Sequence, residues 1–268
     1  MKPIRVALSG SGFKFPAHVG ALAAINDAGY EVREIAGTSG GSIIAALYAS
    51  GMSLDTMKNL AMEKDWSDFL TFNPWSLLTK MGYCSGNTLY EWLEDNMGVQ
   101  SFSTCRIPLT IMATDVANYC AIKFSRETTP TMTLAQAARA SAAIPLVYAP
   151  VQYGDALCFD GGMENNIPVD QLKIDGMPRI GIQLVTKAAP MKPGVYTIKT
   201  IIPRLIGMML AANENTHVEI GQLSGAQVAF VETGYVDGLN TNMNKLERAH
   251  LYQDGYSATW ATLLGARA

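Results

Sequence analysis

The chain has 268 residues, of which 49% are hydrophobic and only 16% are charged, against about 25% charged in typical soluble domains. This balance excludes a disordered chain, and the length is enough to bury a core without disulfides or metals. The 20 basic and 23 acidic residues give a net charge of −3. The chain therefore lacks the excess of basic residues that would indicate binding to nucleic acid or to anionic lipid.

Cysteines and histidines are too few and too scattered to indicate a metal centre. The four cysteines have no C-x-x-C spacing and there are only three histidines, so we expect no metal and no cofactor. Sparse thiols favour a reduced cytosol. The first apolar run is too short for a signal peptide, and no window reaches the roughly 18 apolar residues of a membrane span. We therefore expect a cytoplasmic protein, with peripheral membrane contact left open.

The first fifty residues carry the clearest pattern. Short apolar runs alternate with Gly/Ser turns and with stretches of helical spacing. The predicted order is strand, turn, helix, strand, turn and helix, at Ile4–Leu8, Ser9–Gly12, Ala17–Ala28, Val32–Ala36, Gly37–Gly41 and Ser42–Ser50. Such an order predicts a parallel sheet with helices packed against it.

The rest of the chain is less regular. Helices are predicted from a Ser53 cap to Lys64 and at Thr88–Asn96, Thr133–Ser141, Thr200–Gln222 and Asn244–Leu264. Strands are predicted at Pro108–Asp115, Ala121–Phe124, Arg179–Thr186 and Val228–Thr233. Asp65–Tyr83 has no clear period, and Ala188–Gly194 reads as a Pro-rich loop. Because no repeat or linker interrupts the chain, we expect one α/β domain over residues 1–268.

A G-x-S-x-G string occupies Gly37–Gly41, between a predicted strand and a predicted helix. In such a turn the glycines avoid steric clashes, and the strained serine presents its hydroxyl beside a helix N-terminus. This context predicts Ser39 as a nucleophile, with Gly37, Thr38, Gly40 and Gly41 forming the elbow. The alternative is a Gly-rich turn needed only for close packing of helix and strand.

A nucleophilic serine needs a base. None of His18, His217 and His250 follows a strand in the position of an α/β-hydrolase histidine, so the sequence argues against a Ser-His-Asp triad. Asp160 is the better candidate, in the run Asp160-Gly161-Gly162, although an Asp before two glycines also suits a plain turn. We expect a structural role for His18.

The chain resembles the patatin-like acyl hydrolases along most of its length. The motifs that carry the resemblance stand in the family's order: the glycine-rich loop Ser9–Lys14, His18-Val19-Gly20, the elbow Gly37–Gly41, Ala113-Thr114-Asp115, Ala140–Pro145, Asp160-Gly161-Gly162, Asn166-Ile167-Pro168 and Gly255–Ala258. The resemblance implies a three-layer α/β/α fold with a mainly parallel central sheet. For Asp115 we expect a structural hydrogen-bonding role.

The resemblance also implies a Ser-Asp dyad, with Ser39 as nucleophile and Asp160 as base. The oxyanion would be bound by N–H groups of the loop formed by Gly10, Ser11, Gly12, Phe13 and Lys14. The sequence departs from the family at Phe15, where the usual loop pattern has its last glycine. Phe disfavours φ above zero, so either the loop bends differently or this position does not demand such a φ. Lys14 would support the loop or contact lipid phosphate, or else be an exposed loop charge.

The implied reaction is hydrolysis of acyl esters of phospholipids or lysophospholipids through an acyl-enzyme. Asp65–Met81 and Thr200–Ala212, the latter with Met208 and Met209, are the candidate lid and acyl-chain segments, unless their apolar residues only fill the core. Two alternatives remain open. One is an acyltransferase with the same elbow, and the other is a catalytically impaired lipid-binding or effector protein.

Overall fold

The computed structural model describes residues 1–71, 73–186, 190, 191, 194 and 196–265. Its strands are β1 Lys2–Leu8, β2 Tyr30–Thr38, β3 Gly82–Cys84, β4 Leu109–Asp115, β5 Cys120–Ser125, β6 Leu146–Tyr148, β7 Val151–Tyr153, β8 Ala156–Asp160, β9 Arg179–Val185 and β10 Gln227–Glu232. Its α-helices are α1 Phe15–Asp27, α2 Gly40–Ala49, α3 Leu54–Glu63, α4 Pro74–Lys80, α5 Asn87–Met97, α6 Leu134–Ser141, α7 Ile198–Ala211, α8 Glu214–Leu223 and α9 Lys245–Gly265. Short 3-10 helices occupy Ser67–Leu70, Gly161–Met163 and Pro168–Gln171.

A mixed sheet forms the centre of the molecule, in the order β10-β9-β1-β2-β4-β8-β7, with β5 also paired to β4. The five strands from β10 to β4 run parallel, whereas β5 and β8 are antiparallel to β4 and β7 is antiparallel to β8. Parallel strands must be covered on both faces, and β4 is accordingly buried along its whole length. The prediction of a mainly parallel α/β sheet is confirmed.

Helices cover both faces, and the alternation of side chains along the strands separates two cores. In β1, Val6 and Leu8 belong to the larger core beneath α1 and α2, whereas Ala7 belongs to a smaller one. The smaller core contains Val169 of the Pro168–Gln171 turn and Val218 of α8. The molecule is therefore three-layered, as the resemblance implied.

The first six predicted elements are all present within a few residues of their expected bounds. Ser53 and Thr133 are N-caps whose hydroxyls accept the backbone N–H groups of Thr56 and Gln136. The N-caps of these two helices were therefore correctly predicted from the sequence. The predicted loop Ala188–Gly194 lies largely outside the described residues, as does Phe72 of the aromatic segment.

One predicted helix was wrong, and the shortest strands were missed. Thr200–Gln222 is not one helix, because α7 ends at Ala211 and α8 begins at Glu214. The Asn213 amide between them donates to the carbonyl of Met163 at 3.1 Å, so the break between the two helices lies against the segment after β8. Strands β3, β6, β7 and β8 were not predicted, since each has only three to five residues.

Candidate active site

Ser39 lies where β2 turns into α2, and its backbone is strained. Its φ is 51° and its ψ is −128°, a region that non-glycine residues adopt at a cost of about 1–3 kcal/mol. The turn is also crowded, because a Cβ at Gly40 would overlap the carbonyl oxygen of Gly12 and one at Gly41 would overlap that of Ser9. Close backbone approach therefore requires glycine at the two positions that follow the serine.

The register of the sheet brings Asp160 to Ser39. Thr38 pairs with Met112 of β4, and the next residue of β4, Ala113, pairs with Asp160 of β8. The Ser39 hydroxyl donates to Asp160 Oδ2 at 2.6 Å, while Asp160 Oδ1 accepts the N–H of Gly162 at 2.8 Å. The residue expected as nucleophile and the residue expected as base are thus hydrogen-bonded to each other.

Residues 141–143 hold both members of this pair. The Ser141 hydroxyl accepts the backbone N–H of Ser39 at 2.8 Å, and the Ala143 carbonyl accepts the N–H of Asp160 at 3.0 Å. Thr114 adds a bond from its hydroxyl to the carbonyl of Asp160 at 2.9 Å. Ser141 and Thr114 belong to two of the quoted motifs, and the sequence alone offered no role for either of them.

Burial raises the proton affinity of Asp160. Because the carboxyl is fully buried, desolvation raises its pKa from 3.8 to about 7, although hydrogen bonds from Ser39 and Gly162 oppose the rise. An ordinary aspartate is a poor proton acceptor at neutral pH, and general bases work best with a pKa near the operating pH. The pKa of Asp160 lies in this range although no histidine takes part.

The glycine-rich loop lies against the serine, and most of its N–H groups are already bonded. Those of Gly10, Phe13 and Lys14 donate to the carbonyls of Asn166, Gly238 and Ser11 at 2.9, 2.8 and 3.2 Å. In the described part of the chain, the N–H groups of Ser11 and Gly12 have no acceptor. Of the five residues expected to form the oxyanion hole, Ser11 and Gly12 therefore have backbone N–H groups that could donate to an oxyanion.

Phe15 does not distort this loop. It is the first residue of α1, and the positive φ of the loop, 55°, falls on Gly12 instead. The Phe15 ring is buried and packs edge-on against Trp66, with ring centroids 4.9 Å apart. The loop therefore does not need a glycine at position 15, because its positive φ lies at Gly12.

Lys14 is not an exposed loop charge. Only 4% of the residue is accessible, and its ammonium group donates to the hydroxyls of Thr186 and Thr233 at 2.8 and 3.1 Å. Burial lowers its pKa from 10.5 to about 8, with Asp237 opposing the change. Lys14 therefore ties the loop to the chain just beyond β9 and β10.

None of the three histidines is hydrogen-bonded to Ser39 or Asp160 in the described part of the chain. His18 is fully buried, with Nε2 at 2.8 Å from the Ser9 carbonyl, and burial lowers its pKa to about 4. His217 contacts the Glu164 carbonyl and Asp170, and His250 packs edge-on against Tyr235. The expected structural role of His18 agrees with these contacts.

Asp115 organises the turn after β4. Its carboxylate accepts the N–H groups of Ala117 and Leu157 and the side-chain amide of Asn118, and the Asn118 bond is the main cause of its lowered pKa. The expected structural role agrees with this bonding. Asp115 takes no part in the Ser39 site.

Glu214 and the side chain of Asn166 are site residues that the sequence reasoning missed. The Asn166 amide donates to the Glu214 carboxylate, and burial raises the pKa of that carboxyl. The same Asn166 accepts the N–H of Gly10 through its backbone, so it joins the glycine-rich loop to the start of α8. Asn166 stood within a quoted motif, whereas nothing local distinguished Glu214 from any other acidic residue of a predicted helix.

A cavity of about 680 Å³ opens beside Ser39. The loop residues Gly10–Gly12 and Glu214 line its polar end, and its apolar walls come mainly from α7, with Ile206, Met208 and Leu210. Met209 does not line it. Trp66 and Phe69 pack in the core, so that part of Asp65–Met81 is not a lid, whereas Trp75 and Leu78 on α4 are exposed.

The described residues form neither a metal-binding cluster nor a membrane-spanning helix. Across the residues that the structure describes, no group of three or more His, Cys, Asp or Glu side chains could hold a metal ion. Among the helices so described, none combines the length and the apolar character needed to cross a membrane.

Comparison with known proteins identifies the family. The model of the patatin-like phospholipases matches residues 6–173, and the chain belongs to this family. An uncharacterized protein of Acanthamoeba polyphaga mimivirus is 29% identical over 261 residues, covering 90% of this chain and 85% of the relative. A protein of Invertebrate iridescent virus 6 named as a probable lipid hydrolase is 27% identical over 181 residues, covering 62% of this chain and 61% of the relative.

Among solved structures, VipD from Legionella pneumophila is similar in fold. It superposes with a TM-score of 0.66 at 16% identity, covering 98% of this chain and 67% of the other. At this level of sequence identity, the similarity shows the patatin-like fold alone.

Proposed function

We propose that the protein is a serine acyl hydrolase that uses Ser39 and Asp160 to cleave acyl esters of phospholipids or lysophospholipids. The observation that carries the proposal is the 2.6 Å bond between the Ser39 hydroxyl and a buried carboxylate. A serine with a strained backbone, at a helix N-terminus and bonded to a base is the arrangement of an activated nucleophile. Family membership adds support, because the relative from Invertebrate iridescent virus 6 is named as a probable lipid hydrolase.

The reaction follows from the positions of these groups. Ser39 Oγ attacks the ester carbonyl while Asp160 takes the hydroxyl proton. The N–H groups of Ser11 and Gly12 donate to the oxyanion that forms, and each such donor typically contributes about 3 kcal/mol to transition-state stability. Asp160 then gives the proton to the leaving alcohol, and the same carboxylate activates the water that hydrolyses the acyl-enzyme.

The cavity supports a lipid substrate. Its volume of about 680 Å³ lies within the roughly 300–1,000 Å³ of small-molecule sites. Its apolar wall from α7 suits an acyl chain, while its polar end holds the serine and the loop. The ester group would therefore lie at the boundary between these two parts.

Labelling with a fluorophosphonate probe tests the proposal. We expect the wild type to be labelled and Ser39→Ala not to be. Asp160→Asn should fold but lose turnover of phospholipid and lysophospholipid, measured as fatty-acid release by mass spectrometry. Asp115→Asn is the matched control, since it alters another buried aspartate of the sheet without touching Ser39, and it should keep its activity. Labelling that persists in Ser39→Ala would refute the assignment of the nucleophile.

A further inference from the structure

The side-chain amide of Asn166 lies beside both Ser39 and Asp160. A Cβ at Gly10 would overlap Asn166 Oδ1 and would lie 3.4 Å from Ser39 Cβ. A Cβ at Gly162 would lie 2.8 Å from Asn166 Oδ1 and 3.1 Å from Asp160 Oδ1. Because neither glycine has a side chain, the amide oxygen approaches the serine past one glycine and the aspartate past the other.

The Glu214 carboxylate decides which end of this amide faces the pair. An ionised carboxylate only accepts hydrogen bonds, so it binds the NH₂ group of Asn166 and leaves Oδ1 directed toward Gly10 and Gly162. Asn166 is 5% accessible and lines the cavity. Within the described part of the chain, its Oδ1 accepts no hydrogen bond. A buried acceptor without a donor is costly, so we expect a molecule in the cavity to donate to it.

Acylation of Ser39 leaves Asp160 with the same need. Once Ser39 Oγ carries the acyl group it has no proton to donate, so Asp160 Oδ2 loses the bond that it accepts in the free enzyme. The Asp160 carboxylate and Asn166 Oδ1 are close enough for one water molecule to donate to both, since Oδ1 of Asp160 lies within about 6 Å of Oδ1 of Asn166. The acyl-enzyme therefore presents two acceptors side by side next to its ester.

We propose that Asn166 Oδ1 is the second acceptor for the water that hydrolyses the acyl-enzyme, and that it makes the enzyme favour water over alcohols as acyl acceptor. This inference rests on the proposed function. The water donates one hydrogen to Asp160 and the other to Asn166, while its oxygen forms a bond to the acyl carbon. The proton taken by Asp160 passes to Ser39 Oγ as the bond between that oxygen and the acyl carbon breaks, and the fatty acid is released.

A simple alcohol cannot satisfy both acceptors, because it has a single hydroxyl hydrogen. When that hydrogen is donated to Asp160, the carbon of the alcohol occupies the place beside Asn166 Oδ1, and the buried oxygen has no partner. A site built to bind a hydrogen-bond donor rejects an analogue that lacks it. Asn166 and the Glu214 that orients it therefore favour hydrolysis over acyl transfer, which the sequence left open as an alternative.

Competition between water and methanol for the acyl-enzyme tests this inference. The protein is given a water-soluble p-nitrophenyl ester in buffer with methanol, with Ser39→Ala as the background, and free acid and methyl ester are measured by mass spectrometry. Their ratio depends only on the step after acylation, so neither slower acylation nor a smaller folded fraction changes it. In Asn166→Leu, which has a similar size and no acceptor, we expect the ratio of methyl ester to free acid to rise about tenfold.

Asn213→Leu is the matched control. It removes the amide of the residue next to Glu214, which donates to the Met163 carbonyl and does not line the cavity, and its ratio should stay within twofold of the wild type. Glu214→Leu should raise the ratio, because the Asn166 amide loses the acceptor that orients it. Glu214→Gln, whose amide oxygen can still accept from Asn166, should stay closer to the wild type than Glu214→Leu.

The outcomes separate this inference from the proposed function. An unchanged ratio in Asn166→Leu, or an equal rise in Asn213→Leu, would overturn the role of Asn166 while the esterase activity itself is still seen. If Asn166→Leu does not fold, the ratio in Glu214→Leu decides in the same way. A wild type that gives no more of either product than Ser39→Ala would overturn the proposed function, and this inference with it.

Discussion

The substitution Asp160→Asn replaces a buried carboxyl by a neutral amide of the same shape, and we expect it to stabilise the fold at neutral pH. The amide can still accept the N–H of Gly162, and its NH₂ group can donate to Ser39 Oγ. What it removes is the cost of keeping a charge at a fully buried position. Loss of activity and gain of stability would thus arise from the same group.

The magnitude follows from the pKa of Asp160. That pKa rises from 3.8 to about 7 in the folded protein, and each pH unit corresponds to about 1.4 kcal/mol. A pKa raised by folding stabilises the protein fully below the unfolded value, and this stabilisation is lost as pH rises through the folded value. Ionised Asp160 therefore lowers the free energy of unfolding by up to about 4 kcal/mol above pH 7.

Urea unfolding of wild type and Asp160→Asn at pH 5 and pH 8 measures this effect. At pH 8 the variant should be the more stable protein, and between pH 8 and pH 5 its advantage should shrink by about 3 kcal/mol. Asp115→Asn is again the control, because the pKa of Asp115 is lowered and its contribution changes only below the ordinary carboxyl range. A variant less stable than wild type at pH 8, or an advantage independent of pH, would refute the reasoning.

Three further predictions concern the same site. The kcat/KM for a soluble ester should fall about tenfold per pH unit below about pH 7, because Asp160 must be ionised to accept the proton; a flat profile from pH 5 to pH 8 would contradict this. Ser39→Gly should exceed Ser39→Ala in stability by about 1 kcal/mol, because glycine relieves the strained φ of 51°; equal melting curves would show that no strain is stored. Gly12→Ala should lower kcat by about 10²-fold, because its Cβ would meet the Gly238 carbonyl and displace an oxyanion donor. Gly154→Ala, with a nearly equal φ of 56° and open space around it, should keep its activity.

Local chemistry made the first part of the fold predictable. The alternation of apolar runs with Gly/Ser turns, and the caps at Ser53 and Thr133, involve residues that are neighbours in the chain. The G-x-S-x-G string is of the same kind, because the need for glycine arises where β2 turns sharply into α2. Asp160 was found in the sequence only as one of a series of motifs, since no local pattern distinguishes it from an aspartate in a plain turn.

What joins Asp160 to Ser39 is tertiary. The pairing of Ala113 with Asp160 depends on β8, a short strand that no periodicity revealed, and the high pKa depends on burial by the surrounding layers. Lys14 and Glu214 likewise join the site through contacts with distant segments, and Lys14 is buried by them. The sequence by itself determined the α/β class, the serine elbow and the order of motifs, because short-range sterics and hydrophobic spacing decide these. The tertiary structure decided which carboxylate meets the serine and which loop N–H groups stay available, because both depend on contacts between segments that lie far apart in the chain.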